Sequence, residues 1–236
     1  MHIQSSFAEY FFTSRHALKT ARKNKKIYSA ISKYNMTYTE IDSGLAKLEK
    51  LMDADKKKIE LHGKQLEARV AFKSIYAKVN TLYISHVGLM KVKFRKNPER
   101  VERLMLNVPR ERSINGWLQQ ADTFYVNLIN DADMVNKLTQ NAISPDKLTE
   151  AHAGIKEVEY AHNNYKEAIG LSQAAVETRD ALFEEFDLWM REFIYICKMA
   201  LSQESQLLEA LKIKVFSKGY IKHKPTPLPA DHAPNS

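Results

Sequence analysis

Glycine and proline are scarce. The 236 residues hold seven of each, where average usage leads to about sixteen glycines and about twelve prolines. Pro225, Pro227, Pro229 and Pro234 crowd the last dozen positions, which leaves Pro98, Pro109 and Pro145 for everything before Lys224. Sandwiches, barrels and doubly wound α/β domains need many tight turns, so this composition excludes them. No two glycines stand closer than sixteen residues, which excludes a glycine-rich phosphate loop. An all-helical chain remains.

Cysteine is scarcer still. Cys197 stands alone, so neither an internal disulfide nor a cysteine metal cluster is available, and a reducing, cytoplasmic setting is expected. Apolar residues make up 44% of the chain, enough for a core. Yet no apolar run approaches the roughly 20 residues that span a bilayer. Met1 to Phe12 lacks the basic start and apolar stretch of a signal peptide. The expectation is a soluble protein with no membrane span.

What is present is helical period. Ser144-Pro145-Asp146 reads as an N-cap, an N1 proline and an acidic first turn. Apolar residues then recur at steps of three and four from Leu148 through Ile155, Tyr165, Leu182 and Phe193 to Leu201, which predicts one helix of about 55 residues, about 80 Å long. The same layout starts from Thr37 and runs from Ile41 to Phe94, offset by 107 residues without a gap. At that offset Gly63 falls on Gly170, and flanking shorter segments match as well: Tyr10 on Trp117, Leu18 on Tyr125, Leu104 on Leu211. The predicted fold is therefore an elongated, mainly antiparallel, coiled-coil-like helical bundle of two tandem repeats, 1–107 and 108–214, followed by a disordered proline-rich tail, 215–236. Gly63 and Gly170 are structural candidates: mid-helix glycine costs about 1 kcal/mol relative to alanine. Its recurrence predicts close helix approach or a kink, the alternative being a fold-back into two shorter helices.

Charge divides with the repeats. Residues 1–107 carry 22 basic and 10 acidic side chains, residues 108–214 carry 11 and 17, and the tail adds two net positive charges to reach the total of +8. The halves are electrostatically complementary, within one chain or between copies. Two basic clusters stand out. Arg15, Lys19, Arg22, Lys23, Lys25, Lys26 and Lys33 meet no acid between Tyr10 and Thr39, and Lys91, Lys93, Arg95 and Lys96 lead into Arg100, Arg103, Arg110 and Arg112. Merged on one face, they would attract phosphate backbones. No helix-turn-helix, zinc-finger or RNA-recognition signature accompanies them.

Three stretches carry a resemblance: Arg112-Ser113-Ile114-Asn115-Gly116-Trp117-Leu118, Asp187-Leu188-Trp189-Met190-Arg191-Glu192-Phe193, and Gln206-Leu207-Leu208-Glu209-Ala210-Leu211-Lys212-Ile213. They resemble a family of uncharacterised bacterial all-helical proteins, over residues 30–213 and most clearly 110–213. The resemblance implies a helical fold and packing motifs, and it implies no activity. Cys197-Lys198 replaces that family's alanine-arginine pair, and the basic N-terminal stretch and proline tail are further departures.

Chemistry-bearing constellations are few. Glu159-x-x-His162 has the spacing of one half of a di-iron helical site, but the 107-residue partners are Met52 and Asp55, so a solvated face is the better reading and no metal or cofactor is expected. His62 and His86 lie near the apolar seam and read as partly buried. Cys197 reads as core. Trp117 and Trp189, with Phe186 and Phe193, read as packing between long helices. No catalytic residue is assigned. The expected function is a non-enzymatic scaffold or protein–protein assembly module, self-associating through its charged halves; the alternative is nucleic-acid binding through clusters 15–26 and 91–112.

Overall fold

Local signals start and stop each helix. The structure, a computed structural model, describes residues 7–141 and 143–213; the proline-rich tail lies outside the described residues. Every regular element among the described residues is helical. In chain order these are α1 (Phe7–Lys23), α2 (Lys25–Ile31) with a 3-10 turn at Ser32–Tyr34, α3 (Tyr38–Lys93), α4 (Pro98–Arg103), α5 (Ile114–Ile129), α6 (Ala132–Thr139), α7 (Pro145–Ala200) and α8 (Ser205–Ala210).

The capping chemistry recurs along the chain. Thr37 Oγ1 accepts from the Glu40 amide at 3.4 Å ahead of α3, and Ser144 Oγ accepts from the Lys147 amide at 3.3 Å ahead of α7. Asn24 caps α2 by accepting from the Lys26 and Ile27 amides; Asp131 caps α6 by accepting from those of Asp133 and Met134. Adding 107 to the limits of α3 gives those of α7, and the same holds for α4 and α8. Met105 and Lys212, also 107 apart, both adopt left-handed backbone, with φ of 54° and 56°.

Compactness divides the chain differently from the 1–107 and 108–214 segments. One unit gathers the described residues up to Lys50 together with those from Phe183 onwards; the other runs Leu51–Leu182. Each unit thus combines the leading short helices and the first part of the long helix of one segment with the end of the long helix and the short closing helix of the other. In the first unit α1 packs on the last turns of α7. The Tyr10 hydroxyl donates to Asp187 Oδ1 at 3.0 Å and its ring meets Phe186 edge-on. His16 donates to the Ala210 carbonyl at 3.0 Å, tying α8 to α1. α3 and α7 are antiparallel here, Lys47 pairing with Glu185 and Gly44 receiving the ring of Trp189.

In the second unit α5 is the central amphipathic helix. Trp117, Ala121, Phe124, Tyr125 and Leu128 are all buried; full burial of each large side chain contributes about 1.5–3 kcal/mol. They pack on α3: Tyr83 meets both Trp117 and Phe124 edge-on. Val79 of α3 touches Gly154 of α7, and Phe72 stacks on Tyr165, so the long helices are antiparallel in this unit as well.

α3 and α7 pass through Gly63 and Gly170 as unbroken α-helix, so the fold-back alternative is excluded. A Cβ at either position would meet nothing within 4 Å, so neither glycine serves close approach inside the chain. The close approaches fall instead at Gly44, under Trp189, and at Gly154, where a Cβ would lie 3.0 Å from Val79.

Candidate functional site

The two basic clusters belong to different units of the chain. Arg15, Lys19, Arg22, Lys23, Lys25 and Lys26 belong to α1 and α2 in the first unit, whereas Lys91, Lys93, Arg95 and Lys96 end α3 in the second. A merged positive face is therefore not built within either unit. Arg22 is held bidentately by Asp42, at 2.6 and 3.2 Å, with its guanidinium over the Tyr38 ring, which stacks on Tyr28. Arg15 is half-buried, while Lys19, Lys23, Lys25, Lys26 and Lys33 are exposed.

The second cluster divides in a similar way. Arg100 pairs with Asp133, which Lys137 also approaches at 3.3 Å, and this pairing with Arg100 first and Lys137 second holds the Asp133 carboxyl below its ordinary pKa. Arg103 reaches Asp131 Oδ2 at 3.5 Å while Oδ1 of the same carboxylate caps α6. Arg100 and Lys137 both lie over the Phe94 ring. Lys91, Lys93, Arg95 and Lys96 are exposed and, with Val92, line one open depression at the C-terminal end of α3. Lys91 and Lys93 sit in the last helical turn, where the carbonyl ends favour cations.

The opposite charges of the two sequence halves meet within the chain: Lys47 with Glu185, Arg100 with Asp133, Arg103 with Asp131. That cross-pairing is invisible in net charges, because it joins residues 28 to 138 positions apart.

Of the remaining chemistry-bearing side chains, His86, His152 and Glu159 each meet a polar neighbour. His86 is buried, its Nδ1 lying 2.9 Å from the Tyr125 hydroxyl, and burial lowers its pKa. His62 is exposed instead of partly buried, because the seam of α3 against α7, through Phe72 and Val79, passes about a quarter turn away on the helix. His152 meets Asp122 at 2.9 Å, and its ring stacks near Tyr125. His162 is buried against Phe72, and Glu159 turns to Lys156 at 3.9 Å. The Glu159–His162 spacing therefore gathers no further ligands, and no group of three or more metal-binding side chains occurs among the described residues. Cys197 is buried and its thiol pKa is pushed up to about 12 by desolvation, a state that suppresses thiolate chemistry.

Trp117 is fully enclosed and donates from Nε1 to Asn80 Oδ1 at 3.0 Å. Trp189 is half-buried, lying in a stacked series between Phe186 and Phe193. Both tryptophans make ring contacts with neighbouring aromatic side chains. No helix among the described residues is long and apolar enough to cross a membrane. No protein-family model, curated protein or solved structure matches the chain.

Proposed function

We propose that the chain is a non-enzymatic helical scaffold of the cytoplasm, built from two tandem copies of a 107-residue helical unit, whose work is protein–protein assembly, including association with further copies of itself. The duplication is supported by the matched limits of α3 with α7 and α4 with α8, the paired caps Asn24 and Asp131, and the paired left-handed residues Met105 and Lys212. The resemblance of Arg112–Leu118, Asp187–Phe193 and Gln206–Ile213 to bacterial helical proteins fits the same reading.

One observation carries the assembly role. The long helices present large apolar side chains to solvent, among them Ile59, Val70, Tyr160, Leu188 and Tyr195; apolar surface arrayed along a helix is the material of helix-to-helix docking. The burial of Cys197 and the contacts of His86 with Tyr125, His152 with Asp122 and Glu159 with Lys156 support a role without covalent or acid–base chemistry. Sedimentation velocity over a concentration and salt series tests the proposal. The expected result is a species heavier than the monomer; a strict monomer at every ionic strength and at high concentration contradicts it.

A second reading has its own observation, the open depression lined by Lys91, Val92, Lys93, Arg95 and Lys96. Four exposed cations on one depression suit a nucleic-acid backbone, with binding that strengthens as salt falls. The cations of α1 and α2 would add a second contact. A titration with duplex and single-stranded DNA checks this: binding lost on Lys91→Glu and Lys93→Glu supports it, and absence of binding at low salt removes it.

A further inference from the structure

Three tyrosines stand among the basic residues of the first unit, and none of them is buried. Tyr34 and Tyr38 are 45% and 43% exposed and Tyr28 is half-buried, whereas Tyr10, Tyr83 and Tyr125 lie in the core. The rings of Tyr28 and Tyr38 stack with centroids 3.6 Å apart and planes 9° from parallel, and Tyr34 lies in the turn that this stack closes. Arg22 lies over the Tyr38 ring at 5.9 Å, and its two bonds to Asp42 fix the plane of the guanidinium. Flat π surfaces from α1, α2 and α3 thus meet at one corner of the unit.

Cations run up to this corner. Arg15, Lys19 and Lys23 follow one another at four-residue steps on one face of α1, about 6 Å apart along the helix. Arg22, one turn beyond Lys19, joins that face to Tyr38. Lys25 stands one turn before Tyr28 on α2. Lys19, Lys23, Lys25, Lys26 and Lys33 are exposed and make no ion pair among the described residues. Asp42 gives its carboxylate to Arg22, and Glu40 lies about 160° around α3 from Tyr38.

Folding does not call for this arrangement. Like charges four residues apart weaken a helix, and Lys25 and Lys26 open α2 at the end where the helix dipole disfavours cations. The helices α5 and α6 begin 107 residues after α1 and α2. There the places of Arg15, Lys19, Lys23, Lys25 and Lys26 hold Asp122, Val126, Asn130, Ala132 and Asp133. Those of Tyr28, Tyr34 and Tyr38 hold Val135, Asn141 and Pro145. A helix pair of nearly the same lengths therefore forms without the cations and without the rings.

Exposed rings interleaved with unpaired cations are the means of holding a single strand, whose bases stack on the rings while its phosphates meet the cations. A duplex keeps its bases paired and would use the cations alone. A membrane surface calls for an apolar helix face beside the cations, where α2 sets Lys25, Ser29 and Ser32 around Tyr28. We propose that this corner binds single-stranded nucleic acid, with bases stacked on Tyr34, Tyr38 and the guanidinium of Arg22, and phosphates along Lys19, Lys23 and Lys25. The proposal rests on the nucleic-acid reading above, names the form of the strand, and does not use the depression at Lys91.

Fluorescence anisotropy with labelled oligo(dT) and oligo(U) of about twenty nucleotides, longer than one such site, tests it on the full chain. At low salt both strands are expected to bind more tightly than a duplex of the same length. Tyr34→Leu and Tyr38→Leu should each raise the single-strand Kd about tenfold, the scale of one lost stacking contact, while Tyr38→Phe keeps it. Lys19→Gln and Lys23→Gln should each lower the slope of log Kd against log salt by about 0.7. Unchanged circular dichroism verifies each fold, and Tyr34, exposed in a turn, supplies the stacking test should Tyr38→Leu not fold. Leucine variants that bind like wild type, or a duplex bound as tightly as the single strand, overturn the proposal. Loss of that binding on Lys91→Glu and Lys93→Glu then leaves the nucleic-acid reading standing at the depression. Absence of binding to every oligonucleotide at low salt overturns both, and binding to phosphatidylserine vesicles in that case assigns the corner to lipid.

Discussion

The six-membered ring of Trp189 in α7 occupies the space a side chain on Gly44 of α3 would need. Alanine is the better helix former by about 1 kcal/mol, but here it would drive a methyl group into a ring that is stacked between Phe186 and Phe193. Gly44→Ala is expected to destabilise the protein by about 1–3 kcal/mol, the scale of overpacking. Gly170→Ala, where the added carbon meets open space, is expected to stabilise it by about 0.5–1 kcal/mol. Urea unfolding monitored by circular dichroism checks both signs, and equal effects from the two substitutions would contradict the assignment.

Stability should depend on pH through His86. Burial keeps its folded pKa below the ordinary 6.5, and His162 shifts the same way, through desolvation first and Lys166 second. The unfolded chain therefore takes up protons that the fold refuses once the pH drops below about 6.5. Stability present above that value is lost as the pH falls. The urea midpoint should decrease between about pH 7.5 and about pH 5.5. His86→Gln, which keeps a hydrogen-bonding group towards the Tyr125 hydroxyl, should make that decrease shallower; an unchanged slope contradicts the role.

The caps Asn24 and Asp131 should differ in worth. Asn24→Ala removes the acceptor for the Lys26 and Ile27 amides, a loss of about 1 kcal/mol. Asp131→Ala removes the equivalent cap of α6 and also frees Arg103 from its carboxylate, so it should cost more than Asn24→Ala. Thermal unfolding of the two variants ranks them.

Met105 should accept glycine. Its φ of 54° is a left-handed conformation that costs a side-chain-bearing residue about 1–2 kcal/mol. Met105→Gly relieves that cost at the expense of a half-buried side chain, and a melting temperature at or above wild type is the expected outcome. A clear fall would mean that the methionine packs more tightly than its partial exposure indicates.

Much of the fold is legible in the residues themselves, because helix limits are local chemistry. Thr37 and Ser144 are visible as caps, Pro145 as a first-turn proline, and the 107-residue offset as matched apolar phase. Long-range partnership is what a linear reading cannot supply. Gly44 and Gly63 look alike in sequence; only Trp189, on the other long helix, makes one of them indispensable to packing. Arg22 belongs to a run without acids, yet Asp42 lies within reach once α1 packs near α3. Arg100 and Arg103 read as part of a basic cluster until α6 delivers Asp133 and Asp131 to them. The exposure of Ile59 and Leu66 was hidden for the opposite reason. Both read as seam residues in a long apolar series, and only the position of α7 shows that the seam runs on the other side.

The central claim is that the protein works by assembling. Its most direct test is the mass of the wild-type chain in solution, by light scattering coupled to size-exclusion chromatography over a range of loading concentrations. The account predicts a weight-average mass that rises with concentration from the chain mass of 27.2 kDa towards twice that value. A mass fixed at the monomer's at every concentration would contradict it.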